Sequence, residues 1–246
     1  MTKIALITGG GSGVGRNAAL TLAKAGYRTI ITGRRQDALD ETISMAEGDI
    51  LAHSCDVTDE ASVDALFDQI RGNFGRLDIL FNNAGNNVPS TNFGDLSLND
   101  WNTVINVNLN GAFLMANRAY QMMRDQAPQG GRIINNGSIS AHVPRPGSAP
   151  YTSTKHAMTG MTRSIALDGR QHNIACGQID IGNAASDMTA KMGGGVPQAD
   201  GSIKAEPTME VQQVGDAVLH MANLPLDANI LFMTIMSTDM PFVGRG

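Results

Sequence analysis

A doubly wound α/β fold around one parallel sheet is predicted for this chain of 246 residues, and three observations predict it. Short apolar runs rich in β-branched residues alternate with longer amphipathic segments from one end to the other. Hydrophobic residues make up 42% of the sequence, enough to bury a sheet on both faces, and no shift in composition divides the chain. The first apolar run opens directly onto a glycine-rich turn. Alternating strands and helices need crossovers that return the chain to the same end of the sheet, so the strands pair in parallel.

Taken in order, strands are expected at 4–8, 29–32, 50–55, 77–82, 132–136, 174–179 and 230–235. Helices are expected at 14–25, 37–46, 59–73, 99–126, 151–169 and 211–222. Seven strands with helices on both faces make a single domain over 1–246, with no internal repeat. Residues 187–210, DMTAKMGGGVPQADGSIKAEPTME, break the pattern with three consecutive glycines and two prolines. A loop this long inside a compact domain usually serves function, and its place in the chain suits a lid over a substrate.

Bulk properties exclude several classes of protein. The net charge is −5 and lysines and arginines form no stripe, which argues against nucleic acid as a partner. Cys55 and Cys176 make neither a disulfide framework nor a metal site by themselves, and they suit a reduced, cytoplasmic interior. MTKIALITGG has the length and flanks of a first strand rather than of a signal peptide. The run ANILFMTIM at 228–236 is too short to span a bilayer, so no membrane partner is expected.

The turn after the first strand reads ALITGGGSGVGR. Gly9 is followed after three residues by Gly13-Val14-Gly15, with Ser12 in the turn. Glycines between a strand and a helix let a phosphate approach backbone amides at the helix N-terminus. An NAD site usually has an acidic residue about 20 positions further on. This chain has Gly33 there, followed by Arg34 and Arg35, and guanidinium groups attract the 2′-phosphate that a carboxylate would repel. NADP is therefore the preferred cofactor, with NAD as the alternative if Arg34 only stacks on the adenine. Asp56 and Val57 after the third strand are placed to border the adenine. Asn83, Ala84 and Gly85 after the fourth strand let the ribose lie close to the backbone.

In APYTSTKHAM, Tyr151 and Lys155 stand four positions apart, which places them on one helix face, a turn apart. An ammonium beside a phenol favours loss of the phenolic proton, so the pair is a candidate acid–base.

With these pieces in order, the chain resembles the short-chain dehydrogenase/reductase family, in its compact branch of about 250 residues. The resemblance rests on TGGGSGVG (8–15), CDVTD (55–59), LDILFNNAG (77–85), NVNLNG (106–111), GSIS (137–140) and YTSTK (151–155), with Ser138 thirteen positions before Tyr151. It implies a Rossmann-type domain and hydride transfer between a nicotinamide and a carbonyl or alcohol of a small-molecule substrate. It also implies a catalytic set of Asn108, Ser138, Tyr151 and Lys155, with no metal. In that set Tyr151 is the acid–base and Lys155 supports it and holds the ribose. Ser138 polarises the substrate oxygen, and Asn108 anchors a water that relays protons. His142 and His156 read as a pocket wall or structural donors, and Met158, Met161 and Met188 as packing. The family commonly forms homotetramers through its long helices, and a dimer is the alternative.

The chain departs from the family in two places. Where a Pro-Gly pair usually follows the sixth strand, it reads IDIGNAASDM, which puts Ile181 at the proline position and leaves Gly182, Ala184 and Ser186 for the carboxamide end of the cofactor. The C-terminus, MTIMSTDMPFVGRG, also differs from the usual strand followed by an acid and paired glycines. A cofactor-binding sensor of the same fold without turnover is the competing function. Epimerases and dehydratases of the larger branch need a longer substrate domain.

Overall fold

The structure, a computed structural model, describes residues 2–185 and 194–243. Its main sheet contains β1 (Ile4–Thr8), β2 (Arg28–Gly33), β3 (Ile50–Ser54), β4 (Ile79–Asn82), β5 (Gly131–Asn136) and β6 (Ile174–Ile181). After them come a two-stranded hairpin, β7 (Val196–Pro197) with β8 (Ile203–Lys204), and then β9 (Phe232–Ile235). The strand order in the sheet is β3-β2-β1-β4-β5-β6-β9 and every pairing is parallel. The order reverses direction between β1 and β4, and such a switch point opens a crevice at the carboxyl ends of the strands.

Helices α1 (Gly13–Lys24), α2 (Gln36–Ser44), α3 (Glu60–Phe74), α4 (Leu98–Ile105), α5 (Ala112–Asp125), α6 (Ala149–Asp168) and α7 (Val211–Asn223) cover the two faces. Because side chains alternate along a strand, β1 feeds both cores. Ala5 and Ile7 pack with Leu22 of α1 and Val214, Val218 and Met221 of α7. Ile4 and Leu6 pack on the other face with Val63, Phe67 and Ile70 of α3 and Met115 and Met123 of α5. Local signals set the helix ends. Asp59 caps α3 by accepting from the Ala61 amide at 3.2 Å, and Gly75 ends that helix in the left-handed region.

The expected strands and helices are present, with ends that shift by a few residues, and the larger departures have physical reasons. The fourth strand starts at Ile79 rather than at 77, because the amide and carbonyl of Leu77 are both taken by the Gln126 side chain, at 2.8 and 2.9 Å. The sixth strand runs on to Ile181, which pairs with Ile235, while the Gly182 amide donates to the Ile235 carbonyl at 2.8 Å. The expected helix at 99–126 is broken by a π-helical turn, Asn106–Gly111. There Gly111 packs so closely on Val57 that a Cβ would come within 2.7 Å of its Cγ2. Part of the expected lid is structured: the hairpin lies in it, and Glu206 is buried against Arg145. Residues 187–193 of that segment lie outside the described residues.

Candidate active site

The carboxyl ends of β1 and β4 are stitched together by side chains. Thr8 Oγ1 accepts from the amides of Asn83 and Ala84 at 2.8 and 2.7 Å, and Asn83 Nδ2 donates back to the Thr8 carbonyl at 2.8 Å. Two glycines make this approach feasible. Gly9 has φ +69°, and a Cβ on Gly15 would sit 2.2 Å from the Gly9 carbonyl oxygen. Ser12 precedes α1 without spending its hydroxyl on a capping bond, so the first-turn amides of α1 remain open to an anion.

A cleft of about 390 Å³ follows from this turn, bordered by Gly9, Ser12, Gly33, Arg34, Arg35, Asp56, Val57, Ala84 and Gly85. Arg16 pairs with Glu41 at 2.5 Å and holds the Gly11 carbonyl. Arg34 and Arg35, by contrast, line the cleft with no carboxylate in ion-pair contact among the described residues. The Thr58 amide holds Asp56 below the usual carboxylate value, and the Thr58 hydroxyl and the Arg34 charge act in the same direction. Both Thr58 donors reach Asp56 Oδ1, at 3.0 and 2.8 Å.

A second, smaller cavity of about 140 Å³ joins Gly13, Val14, Gly15 and Asn83 to Asn136, Tyr151 and Lys155. The expected pair is therefore brought to the glycine turn. Lys155 is buried, and its Nζ donates to the Asn136 carbonyl at 2.7 Å while lying 5.4 Å from the Tyr151 ring centroid. Asn136 Nδ2 donates to Asn83 Oδ1 at 2.8 Å, which links the β5 end to the β4 end.

Ser138 is buried just past β5, in an extended conformation, and its Oγ accepts from the Ser140 amide at 3.1 Å. That bond uses a lone pair and leaves the hydroxyl proton to donate elsewhere. Asn108 lies in the π-helical turn, where a local break of α-helical bonding turns its side chain inward. Its Oδ1 accepts from the Asn86 amide at 2.8 Å and its Nδ2 donates to the Asn86 carbonyl at 2.9 Å. Asn108 thus clamps the segment that carries Gly85.

The residues expected at the carboxamide end are only partly in view. Gly182 follows β6, and a Cβ there would come 2.6 Å from Met236 Cβ, so the unusual C-terminal segment packs against this position. Ala184 is buried and bridges to Met209 through its neighbours: the Asn183 carbonyl accepts from Met209 and the Ala185 amide donates to it. Ser186 lies outside the described residues. His156 turns back to the Thr152 carbonyl on its own helix, at 2.9 Å.

Several residues at the site were not singled out from the sequence. Asp180 is fully buried in β6 and accepts from the Ser138 amide at 3.1 Å, from Gln178 Nε2 at 2.7 Å, and from His142 at 2.8 Å. A carboxylate inside the largely apolar strand IACGQIDI was the signal available for it. Asn82, Asn135, Thr162 and Gln178 continue a buried polar chain beneath it. Among the described residues no helix is long and apolar enough to cross a membrane.

The family model for short chain dehydrogenases matches residues 3–195. The chain is 33% identical to a 3beta-hydroxysteroid dehydrogenase of Mediterraneibacter gnavus over 192 residues, covering 77% of this chain and 68% of that one. It is 30% identical to sulfoacetaldehyde reductase 2 of Chromohalobacter salexigens over 241 residues, 97% of this chain and 95% of the relative. Among solved structures, the 3-ketoacyl-(acyl-carrier-protein) reductase of Brucella melitensis, complexed with NADH, superposes with a TM-score of 0.85 at 24% identity, covering 96% and 98% of the two chains.

Proposed function

The chain belongs to the short-chain dehydrogenase family and is an NAD(P)-dependent oxidoreductase of CH–OH or C=O groups, and for it we propose a mechanism centred on Tyr151. The observation that carries the proposal is the shared cavity, which sets the Tyr151–Lys155 pair against the glycine turn of α1. The cradle fits a dinucleotide. Gly9 and Gly15 leave the backbone bare for a pyrophosphate to approach, and Arg34 and Arg35 in the same cleft would hold a 2′-phosphate, which favours NADP over NAD. A nicotinamide cofactor held by these residues would supply the hydride chemistry.

In the reducing direction Tyr151 donates its phenolic proton to the carbonyl oxygen, and in the oxidising direction the phenolate takes a proton back. Lys155, held in place by the Asn136 carbonyl, supplies a fixed positive charge beside the phenol and a donor to the ribose hydroxyls. Ser138 donates its remaining proton to the same substrate oxygen, polarising it as charge develops. Asn108, its side chain fixed by the Asn86 amide and carbonyl, would anchor a proton-relaying water.

We assign the segment around 187–210 as the cover of the substrate end. Its described half is anchored by Glu206, which takes Arg145, Asn183 Nδ2 at 3.0 Å and Gln198 Nε2 at 3.1 Å. We further propose a homo-oligomer formed through α5 and α6, because Phe113 stays 53% exposed beside a groove of about 310 Å³ lined by both helices. The deciding experiment titrates NADPH and NADH by fluorescence and screens carbonyl substrates. Nucleotide binding without turnover of any carbonyl would favour the sensor reading.

A further inference from the structure

Asp180 is a buried charge for which the proposed mechanism has no use. Its side chain is 1% exposed, yet both oxygens are occupied: Oδ1 by the Ser138 amide and Gln178 Nε2, Oδ2 by His142 Nε2. The approach is close enough that a Cβ on Gly137 would sit 1.9 Å from Oδ1. Burying a carboxylate is expensive without such donors, and here three of them converge on it. Resting on the proposed roles of Ser138 and Tyr151, we propose that His142, oriented by Asp180, determines specificity by accepting a hydrogen bond from a substrate hydroxyl on the carbon next to the reacting carbonyl.

The donors around Asp180 favour one arrangement of the ring. The two N–H groups on Oδ1 cannot accept a proton, so Oδ1 carries none. With Oδ1 filled by two N–H donors, Oδ2 accepts from His142 Nε2–H, the tautomer in which Nδ1 keeps a lone pair. Nδ1 has no hydrogen-bond partner among the described residues, and the side chain is 43% exposed. One ring edge meets Phe242, with centroids 6.2 Å apart, so the imidazole is walled on that side.

Position relative to the chemistry follows from the chain. A single turn, Ile139–Ala141, separates Ser138 from His142, closed by Ala141 donating to the Ser138 carbonyl at 2.8 Å and His142 to the Ile139 carbonyl at 3.0 Å. The Ser138 amide and the His142 ring then lean on the two oxygens of one carboxylate. A substrate oxygen bound by the Ser138 hydroxyl would then lie beside the turn that ends at His142. An acceptor there matches a hydroxyl one carbon away and offers nothing to a plain alkyl ketone.

The test compares kcat/KM for hydroxyacetone against acetone and for acetoin against 2-butanone, with nucleotide saturating. The wild type is expected to prefer the hydroxyketone by about tenfold or more, as sites that hydrogen-bond a substrate hydroxyl do. His142→Phe and Asp180→Asn should bring that ratio close to unity, and His142→Gln, which keeps an acceptor oxygen, should retain part of it. If Asp180→Asn does not fold, the two His142 variants decide alone. A wild-type ratio near unity, an unchanged ratio in His142→Phe, or complete loss in His142→Gln overturns the inference. Tyr151→Phe separates the two levels, since it should depress both members of each pair equally. Retained turnover in that variant would overturn the reading of Tyr151 and leave the ratio test standing, whereas a wild type that turns over no carbonyl overturns both.

Discussion

Lys155 Nζ lies 5.4 Å from the centroid of the Tyr151 ring and is tied to the Asn136 carbonyl at 2.7 Å, so the cation cannot wander from the phenol. Removing the phenolic hydroxyl should remove proton transfer while leaving the cleft intact. Tyr151→Phe is expected to lower kcat by about 10²–10⁴-fold with little change in nucleotide affinity. Lys155→Met should lower kcat and weaken nucleotide binding together. Steady-state kinetics beside fluorescence titration distinguish the two patterns, and full turnover in Tyr151→Phe would sink the mechanism.

Arg34 sits at the mouth of the cleft with no carboxylate in ion-pair contact among the described residues. A hydrogen bond to a charged group contributes about 1.5–3 kcal/mol, so Arg34→Ala should raise the Kd for NADPH about tenfold or more. The Kd for NADH should change far less. An equal loss for both nucleotides would mean that the guanidinium stacks on the adenine instead.

Glu206 and Arg145 are joined across 61 positions of the chain. Breaking a buried ion pair from one side costs about 3–5 kcal/mol. Glu206→Ala should lower Tm and expose 194–210 to proteolysis before the rest of the molecule. Uniform loss of protection across the chain would show that the pair supports the whole domain and has no special role in anchoring the cover.

Asp56 is held below the ordinary carboxylate value by the Thr58 amide, with help from the Thr58 hydroxyl and Arg34. A depressed folded-state value stabilises the fold above the ordinary carboxylate range, and that contribution disappears as pH falls through the lower folded value. Asp56→Asn should therefore melt below the wild type at neutral pH, with the gap closing below about pH 4. Thermal melts of the two proteins that stay parallel through the acid range would rule out this role for the Asp56 charge.

The exposed ring of Phe113 borders the groove between α5 and α6. Phe113→Glu is expected to dissociate the oligomer without unfolding it, since the ring contributes to neither core. Sedimentation velocity reads this directly. A wild type that sediments as a monomer would remove the proposed interface.

Much of this architecture was legible because its signals are local. Tyr151 and Lys155 meet because residues four apart on a helix share a face, and Gly9 precedes α1 because a strand-to-helix turn there needs positive φ. The alternation of strand and helix predicted the parallel sheet, whose carboxyl ends carry the candidate site. The segment expected to be a lid was less legible: its glycines and prolines concealed a hairpin near Glu206, whose partner Arg145 belongs to another part of the chain.

The sequence by itself determined the class of chemistry, through motifs whose members are brought together by a helix turn or a strand end. Only the tertiary structure decided what surrounds them. Asp180 is one acid among many until β5 and β6 pair and Asn136 comes opposite Ile179. That pairing brings the carboxylate under the Ser138 amide and the His142 ring, 42 and 38 positions earlier. Such partners leave no periodic trace in sequence. They are chosen by the register of a buried sheet, where each polar atom must be satisfied by whichever donor the packing brings within reach.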